Sequence, residues 1–448
     1  MNKKVDYLVI GAGISGLTTA YELHKRGKDV VVLESTNEPG GNIQTRQIDG
    51  WLLEEGPNSL LVNRQQVLDL FMELGLKNEI VLGSSVSKNR FILRGGALRA
   101  LPGSLISFMT TRLFSVKDKL RLFVEPFISK AKKDETVAEF VIRRLGQGFY
   151  DYAINPFISG VYAGDPDKLS ARAATRKVYA LEEKHGSLVK GAIAMVFGKD
   201  RPEGRIAGRM LSFNKGMAVL PHKLAEKLGD RLLLSTPVTS MFLDEKSKSW
   251  HVQTEDGEFE ARNVVLSSPA EVAEQLLPSE ACFEELKSIQ YVPIAVCHLG
   301  FKKDQVDHAL NGFGCLVPRK EGVQLLGALF SSSMFPGRSP DDEHTLLTCF
   351  IGGATFPGIT QWSDQEVQDQ VFSDLKQMVG IKSDPVFSNV VRYDNSIPQY
   401  TMGHLERLTR IQEAVSQLPG LSTRANWHDG ISISDCILNS IAHGRNLL

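Results

Sequence analysis

Cysteine is sparse. Cys282, Cys297, Cys315, Cys349 and Cys436 are widely scattered and odd in number, with no CxxC pair and no metal-ligand spacing. That excludes a disulfide framework and gives no reason to expect a metal; reduced, mostly buried thiols in a cytosolic chain are expected instead. An excess of either charge is also missing. The 51 Lys and Arg nearly cancel the 52 Asp and Glu, leaving −1, so the chain as a whole is not built to bind nucleic acid. No apolar run approaches the roughly 18 residues of a spanning helix. MNKK leads straight into the first strand, which leaves no room for a signal or transit peptide and points to the cytoplasm. Internal repeats and low-complexity tracts are absent too. The remaining composition, 42% hydrophobic and 23% charged, is that of a globular protein. At 448 residues the chain is too long for one core and should form two or three domains.

What is present begins at Asp6. Tyr7-Leu8-Val9-Ile10 reads as a buried parallel strand. Gly11, Gly13 and Gly16 follow at GxGxxG spacing. The first permits a tight turn, the second lets backbone approach a pyrophosphate, and the third lets a helix pack closely on the sheet. That helix should run from Ile14 to Arg26 and stop at Gly27. Its N-terminus offers free N–H groups to phosphate. Val30 to Leu33 is a second strand, and Glu34 stands where a carboxylate accepts hydrogen bonds from a ribose. An acid there disfavours a 2′-phosphate. NAD and FAD remain equally open at this point.

Pro39-Gly40-Gly41 is a second glycine turn just after that acid, followed by a short strand pair and GPNS rather than another βαβ unit. An extended FAD has more phosphate and flavin surface to cover than NAD, and a second turn serves it. Residues 232–238 read as a strand ending near Val238. Residues 250–269 read as a β-meander turning at Asp256-Gly257. Near residue 430, Gly430 precedes an amphipathic helix carrying Ile433, Ile437, Leu438 and Ile441, whose N-terminus could face a flavin. Each segment alone reads as scaffold; their order is the stronger signal.

EEGPNSLL (54–61), FISGVYAGDPDKLS (157–170), GFGCLVP (312–318) and LGALFSSSMFPGR (326–338) complete the pattern. With them, nearly the whole chain resembles the FAD-dependent protoporphyrinogen/coproporphyrinogen oxidase family, which shares the flavin-binding fold of the monoamine oxidases. GVYAGDPDKLS with LFSSSMFPGR is most similar to the plant-like protoporphyrinogen oxidases. The resemblance implies an α/β chain with α+β insertions: a Rossmann-like FAD-binding domain, a sheet-based substrate domain and a helical, membrane-facing insert. It implies that a porphyrinogen loses hydrogens in two-electron steps to FAD, with dioxygen as acceptor and hydrogen peroxide released.

The resemblance also implies site residues. FAD contacts fall on Gly11, Gly13 and Gly16, with Glu34 on the ribose and Gly40 and Gly41 at the pyrophosphate. Val238 contacts adenine through its backbone, and Asn58 lies close to the flavin. Gly430, Ile431 and Ile433 form the far flavin segment. For substrate, Arg90 is expected at the cavity mouth, where its planar fork suits a propionate. Leu316 and Phe330 are expected to sandwich a pyrrole ring, and Gly164 to line the cavity wall. No catalytic side chain is nominated: ten histidines stand singly, His428 and Asp165 read as structural, and hydride transfer without a protein base is expected.

Residues 88–133 hold eleven Lys or Arg against Asp118 and Glu125 alone, interleaved with Leu, Ile and Phe. That pattern suits an anionic membrane surface. The expected layout is an FAD-binding domain in three parts (1–84, 206–269 and 390–448), a helical insert (85–205) and a substrate domain (270–389). A mobile loop is expected over 198–208. Coproporphyrinogen oxidation, a flavin amine oxidase and a non-catalytic tetrapyrrole-binding flavoprotein are the alternatives, and a homodimer is left open.

Overall fold

The computed structural model describes residues 3–131, 133–197, 204–278 and 281–447. Strands are numbered in chain order. Short apolar runs dictate the first sheet. β1 (Lys3–Ile10) lies parallel between β2 (Val30–Leu33) and β13 (Gly257–Leu266). The sheet extends through β10 (Leu232–Leu233) on one side and, antiparallel, through β12 (Ser249–Thr254) and β11 (Val238–Asp244) on the other. The second half of β13 also pairs in parallel with β19 (Leu421–Thr423). The connection from β1 to β2 is the helix Ile14–His24, ending just short of the Arg26 that its sequence suggests. Its residues Ile14 to Leu23 are all buried, because the helix Ile433–Asn446 covers its outer side. Gly444 permits this crossing: a Cβ there would stand 2.8 Å from Glu22 Cβ.

The second sheet runs in the order β18 (Phe387–Pro398), β14 (Tyr291–Lys302), β17 (His344–Gly352), β16 (Leu325–Phe330), β15 (Gly314–Leu316), β7 (Arg90–Arg94), β8 (Ala97–Ala100). The helix Asp364–Val379 buries Val367, Val371 and Leu375 against one face, onto Cys297, Leu299 and Cys349. Two small sheets complete the chain: β3 (Thr45–Ile48) with β4 (Trp51–Glu54), and β5 (Leu60–Arg64) and β6 (Ile80–Leu82) flanking β9 (Arg205–Phe213).

Several expectations change. Residues 232–238 are not one strand, because Ser235 takes φ +50° and Pro237 cannot donate to a ladder. The insert does not begin at 85, since β7 and β8 extend the second sheet. Likewise β18 carries that sheet past residue 390. Of the expected loop over 198–208, residues 205–208 belong to β9, and 198–203 lie outside the described residues. Cys297, Cys315, Cys349 and Cys436 are buried free thiols.

Two buried polar networks hold these parts together. Arg144, wholly buried, binds Glu125 and Glu182, and Glu125 in turn accepts the Leu188 and Val189 N–H groups. Glu54, on β4, lies 3.4 Å from Arg338, which follows β16. The carboxylate also accepts the Met217 N–H at 3.0 Å and the Thr45 hydroxyl at 2.7 Å. Its own carbonyl is 3.0 Å from Nε2 of buried His298 on β14. Beside it, the Trp51 ring fills the space where a Gly300 Cβ would stand. The first sheet's appendage and the second sheet are thereby pinned at one joint.

Candidate functional site

The C-terminal ends of β1, β13 and β19 converge, as ligand-binding edges of parallel sheets do. Gly11 turns at φ +104°, and a Cβ there would stand 2.9 Å from the Ser267 carbonyl. A Gly16 Cβ would collide with the Gly11 carbonyl. Gly13 is different. It is the N-cap of the first helix, has no side-chain cap, and has nothing within 4 Å of its Cβ position. No side chain therefore takes up the helix's first N–H groups, as anion binding requires.

The second glycine turn lies directly on the first. Gly40 bridges Gly13 and donates its N–H to the Ala12 carbonyl at 2.8 Å. Gly40 and Gly41 take φ +114° and +57°, which a side chain would resist. Asn42, next in line, donates to the Ser396 carbonyl of β18 at 3.3 Å, joining this loop to the second sheet. The Asn42 carbonyl fills the space where a Gly56 Cβ would stand, which brings the GPNS segment alongside. Asn58 is buried there and bonds the Gly56 carbonyl.

Glu34 is buried with its carboxylate turned to the glycine turn. It accepts Ala12 N–H at 2.7 Å, Thr36 N–H at 2.9 Å and the Thr36 hydroxyl at 2.8 Å. Thr236 N–H reaches the Glu34 carbonyl at 2.7 Å, so the segment before Val238 runs beside the acid. Val238 itself pairs with Thr254 next to an irregular register.

Gly430 takes φ +79°, and a Cβ there would stand 2.5 Å from Asp435 Cβ. Ser432 caps the following helix through the Asp435 N–H. Ile433 is buried in the core of the first sheet, whereas Ile431 is half-buried beside the helical part. His428 is buried beside β19. Burial, with the nearby Arg424 charge, pushes its pKa down to about 3, and its Nε2 sits 2.7 Å from the Thr423 hydroxyl. Asp165 receives the Asp167 N–H within its own turn, and Asp429 binds Arg424 at 2.7 Å. Sequence reasoning missed Arg424. It is buried, and its Nε and Nη2 have no hydrogen-bond partner among the described residues. A lone arginine just after a short strand gives no signal at the level of sequence. Taken together, the open helix N-terminus, the paired glycine turns and a buried guanidinium with spare donors fit an anionic dinucleotide.

On the second sheet, period-two alternation sorts the remaining candidates. Arg90 pairs with Gly314 and Ile92 with Leu316, so Arg90 and Leu316 share a face. Arg90 is exposed at the start of β7, 5.3 Å from the Phe313 ring. Leu316 lies against Gly160, whose missing side chain lets the helix Asn155–Tyr162 come close. Gly164 follows that helix; a Cβ there would meet the Gln399 side chain at 2.6 Å. Phe330 is a correction. It is wholly buried on the opposite face, near Phe91 and His308 and under the Asp364–Val379 helix. Half-buried Leu329, paired with Gly314, is the β16 residue on the Arg90 face. The alternation in LLGALF was the available signal.

Residues 14–437 match the family model for flavin containing amine oxidoreductases. The chloroplastic protoporphyrinogen oxidase of Nicotiana tabacum is 34% identical, over 97% of this chain and 84% of its own length. The coproporphyrinogen III oxidase of Bacillus subtilis (strain 168) is 28% identical, over 97% and 96%. A crystal structure from Exiguobacterium sp. 255-15, of a protein proposed to be a protoporphyrinogen oxidase, superposes with a TM-score of 0.83 at 26% identity, covering 100% of this chain and 99% of that one. Putrescine oxidase, at 17% identity and a TM-score of 0.71, shares the fold.

Proposed function

The chain belongs to the flavin-containing amine oxidoreductase family, and from that premise we propose that it is an FAD-dependent oxidase of protoporphyrinogen IX, forming protoporphyrin IX for heme synthesis. The observation that carries this reading is the paired glycine turns of the dinucleotide cradle in a chain 34% identical, over 97% of its length, to a protoporphyrinogen oxidase. The cradle meets the second sheet at β18, and β7 and β15 of that sheet present Arg90 and Leu316 on one face. Bound flavin would supply a two-electron acceptor. Arg90 holds a propionate through its planar fork, and Leu316, with Leu329, offers apolar contact to the macrocycle. In each step the substrate gives up a hydride and a proton, and dioxygen finally takes the electrons and leaves as hydrogen peroxide. No protein base is needed: His428 is neutral and walled in, and Asp429 is held by Arg424.

The Bacillus subtilis relative supports a second reading, the same oxidation of coproporphyrinogen III to coproporphyrin III. One experiment separates them. Porphyrin fluorescence is followed in air with each porphyrinogen, using protein whose flavin spectrum has been recorded. Faster growth with protoporphyrinogen is expected, faster growth with coproporphyrinogen favours the second reading, and growth with neither rules out both.

The reading includes contact with an anionic membrane through residues 105–127. Ile106 is 79% exposed and Phe127 86%, with Leu105, Val116 and Phe123 also standing in solvent beside Lys117. Such side chains suit an interfacial surface. No helix among the described residues is long and apolar enough to cross a membrane. Flotation with anionic liposomes tests this: loss of binding in Ile106→Asp/Phe127→Asp is expected, and no binding by the unaltered protein at low salt refutes it.

A further inference from the structure

Arg424 is the buried charge that the site leaves unexplained. It follows β19, and its backbone N–H bonds the Leu266 carbonyl while its own carbonyl accepts the Ser267 hydroxyl at 2.8 Å. That same Ser267 side chain stands 3.1 Å from where a Gly16 Cβ would be. The arginine therefore lies one residue away from the first turn of the Ile14–His24 helix. On its other side Nη1 is pinned by Asp429, immediately before Gly430 and the capped start of the Ile433–Asn446 helix. The arginine's backbone thus lies near the start of one helix, and its guanidinium is held by a carboxylate just before the start of the other. That carboxylate satisfies Nη1 alone. Nε and Nη2 are buried and unpartnered among the described residues, in a side chain with 7% of its surface exposed. A buried guanidinium stripped of water is costly unless its donors are met.

We infer that Arg424 is a cofactor-holding residue whose Nε and Nη2 donate to an oxygen of the bound dinucleotide. The inference rests on the flavin reading above. The geometry is that of a fork held from one side: Asp429 fixes one nitrogen and leaves the Nε–Nη2 edge free, the edge that binds oxygen pairs. Two parts of the ligand carry such oxygens, the pyrophosphate and the carbonyl edge of the flavin.

The test titrates flavin-free protein with FAD and, separately, with ADP, which has the pyrophosphate but no flavin. Wild type is compared with Arg424→Met and Arg424→Lys, and near-ultraviolet circular dichroism checks that each is folded. FAD affinity is expected to fall roughly ten- to hundredfold in Arg424→Met, as for loss of hydrogen bonds to a charged group. An equal fall for ADP assigns the contact to the pyrophosphate. Unchanged ADP affinity assigns it to the flavin edge, and the reduction potential of the bound flavin should then move as well. Arg424→Lys keeps the charge and removes the fork, so it too should weaken FAD, even if Arg424→Met does not fold. Folded variants that bind FAD as wild type does overturn the inference, since the spare donors would then face only water. Wild-type protein that takes up no FAD overturns the flavin reading itself.

Discussion

Glu54 should make this protein less stable as pH rises through neutrality. The carboxyl is 2% exposed, and burial pushes its pKa up to about 7, against the opposing pull of Arg338, Thr45 and Met217. Its ordinary value is 4.5. The folded state therefore holds the proton more tightly than the unfolded state. The contribution is full below the unfolded value and is lost as pH climbs through the folded one. A rise of that size corresponds to about 3 kcal/mol. Glu54→Gln keeps an acceptor for the Met217 N–H but cannot titrate. Denaturant midpoints of both proteins, measured at intervals between pH 5 and 8, isolate the group, because every other titration cancels in the difference. Wild type should lose about 3 kcal/mol relative to Glu54→Gln across that range. Parallel profiles, within about 1 kcal/mol, would refute the reasoning. They would mean that Arg338 keeps the carboxylate charged throughout.

Three further outcomes follow from the geometry. Gly16→Ala would drive a methyl group into the Gly11 carbonyl, so flavin absorbance per mole of purified protein should fall to near zero; full loading would show that the turn can shift. Arg144→Met would strand buried Glu125 without its counter-charge, while Glu182 keeps Arg143 alone, at a cost of about 3–5 kcal/mol. Limited proteolysis should then cut within 125–190, and an unchanged cleavage pattern would count against the network. Arg90→Ala should raise KM for the porphyrinogen roughly tenfold or more with little change in kcat, since a propionate contact is made equally before and during hydride loss. An effect confined to kcat would remove Arg90 from substrate binding.

The dinucleotide cradle was legible because its chemistry is local. Gly11, Gly13, Gly16 and Glu34 lie within one βαβ unit, where backbone conformation and close approach dictate residue type. Gly40 and Gly41 were legible for the same reason. The second sheet was harder. β7 and β8 end at Arg94 and Ala100, whereas β14 begins only at Tyr291, and nothing in a short apolar run says which sheet will take it. Phe330 was placed by its motif rather than by its parity along β16, and parity decides the face. Arg424 was illegible for a different reason. Its importance lies in what it fails to bond, which only the packed structure reveals.

The glycine turn and the helix that roofs it stand at opposite ends of the chain: the Tyr7 hydroxyl bonds the Leu447 carbonyl. Ribosomes add about 5–20 residues per second, so the apolar upper side of the Ile14–His24 helix waits on the order of half a minute to more than a minute for its cover. Until Ile433, Ile437 and Ile441 emerge, that side of the helix is exposed apolar surface, and the core around the first sheet cannot close before the chain is nearly complete.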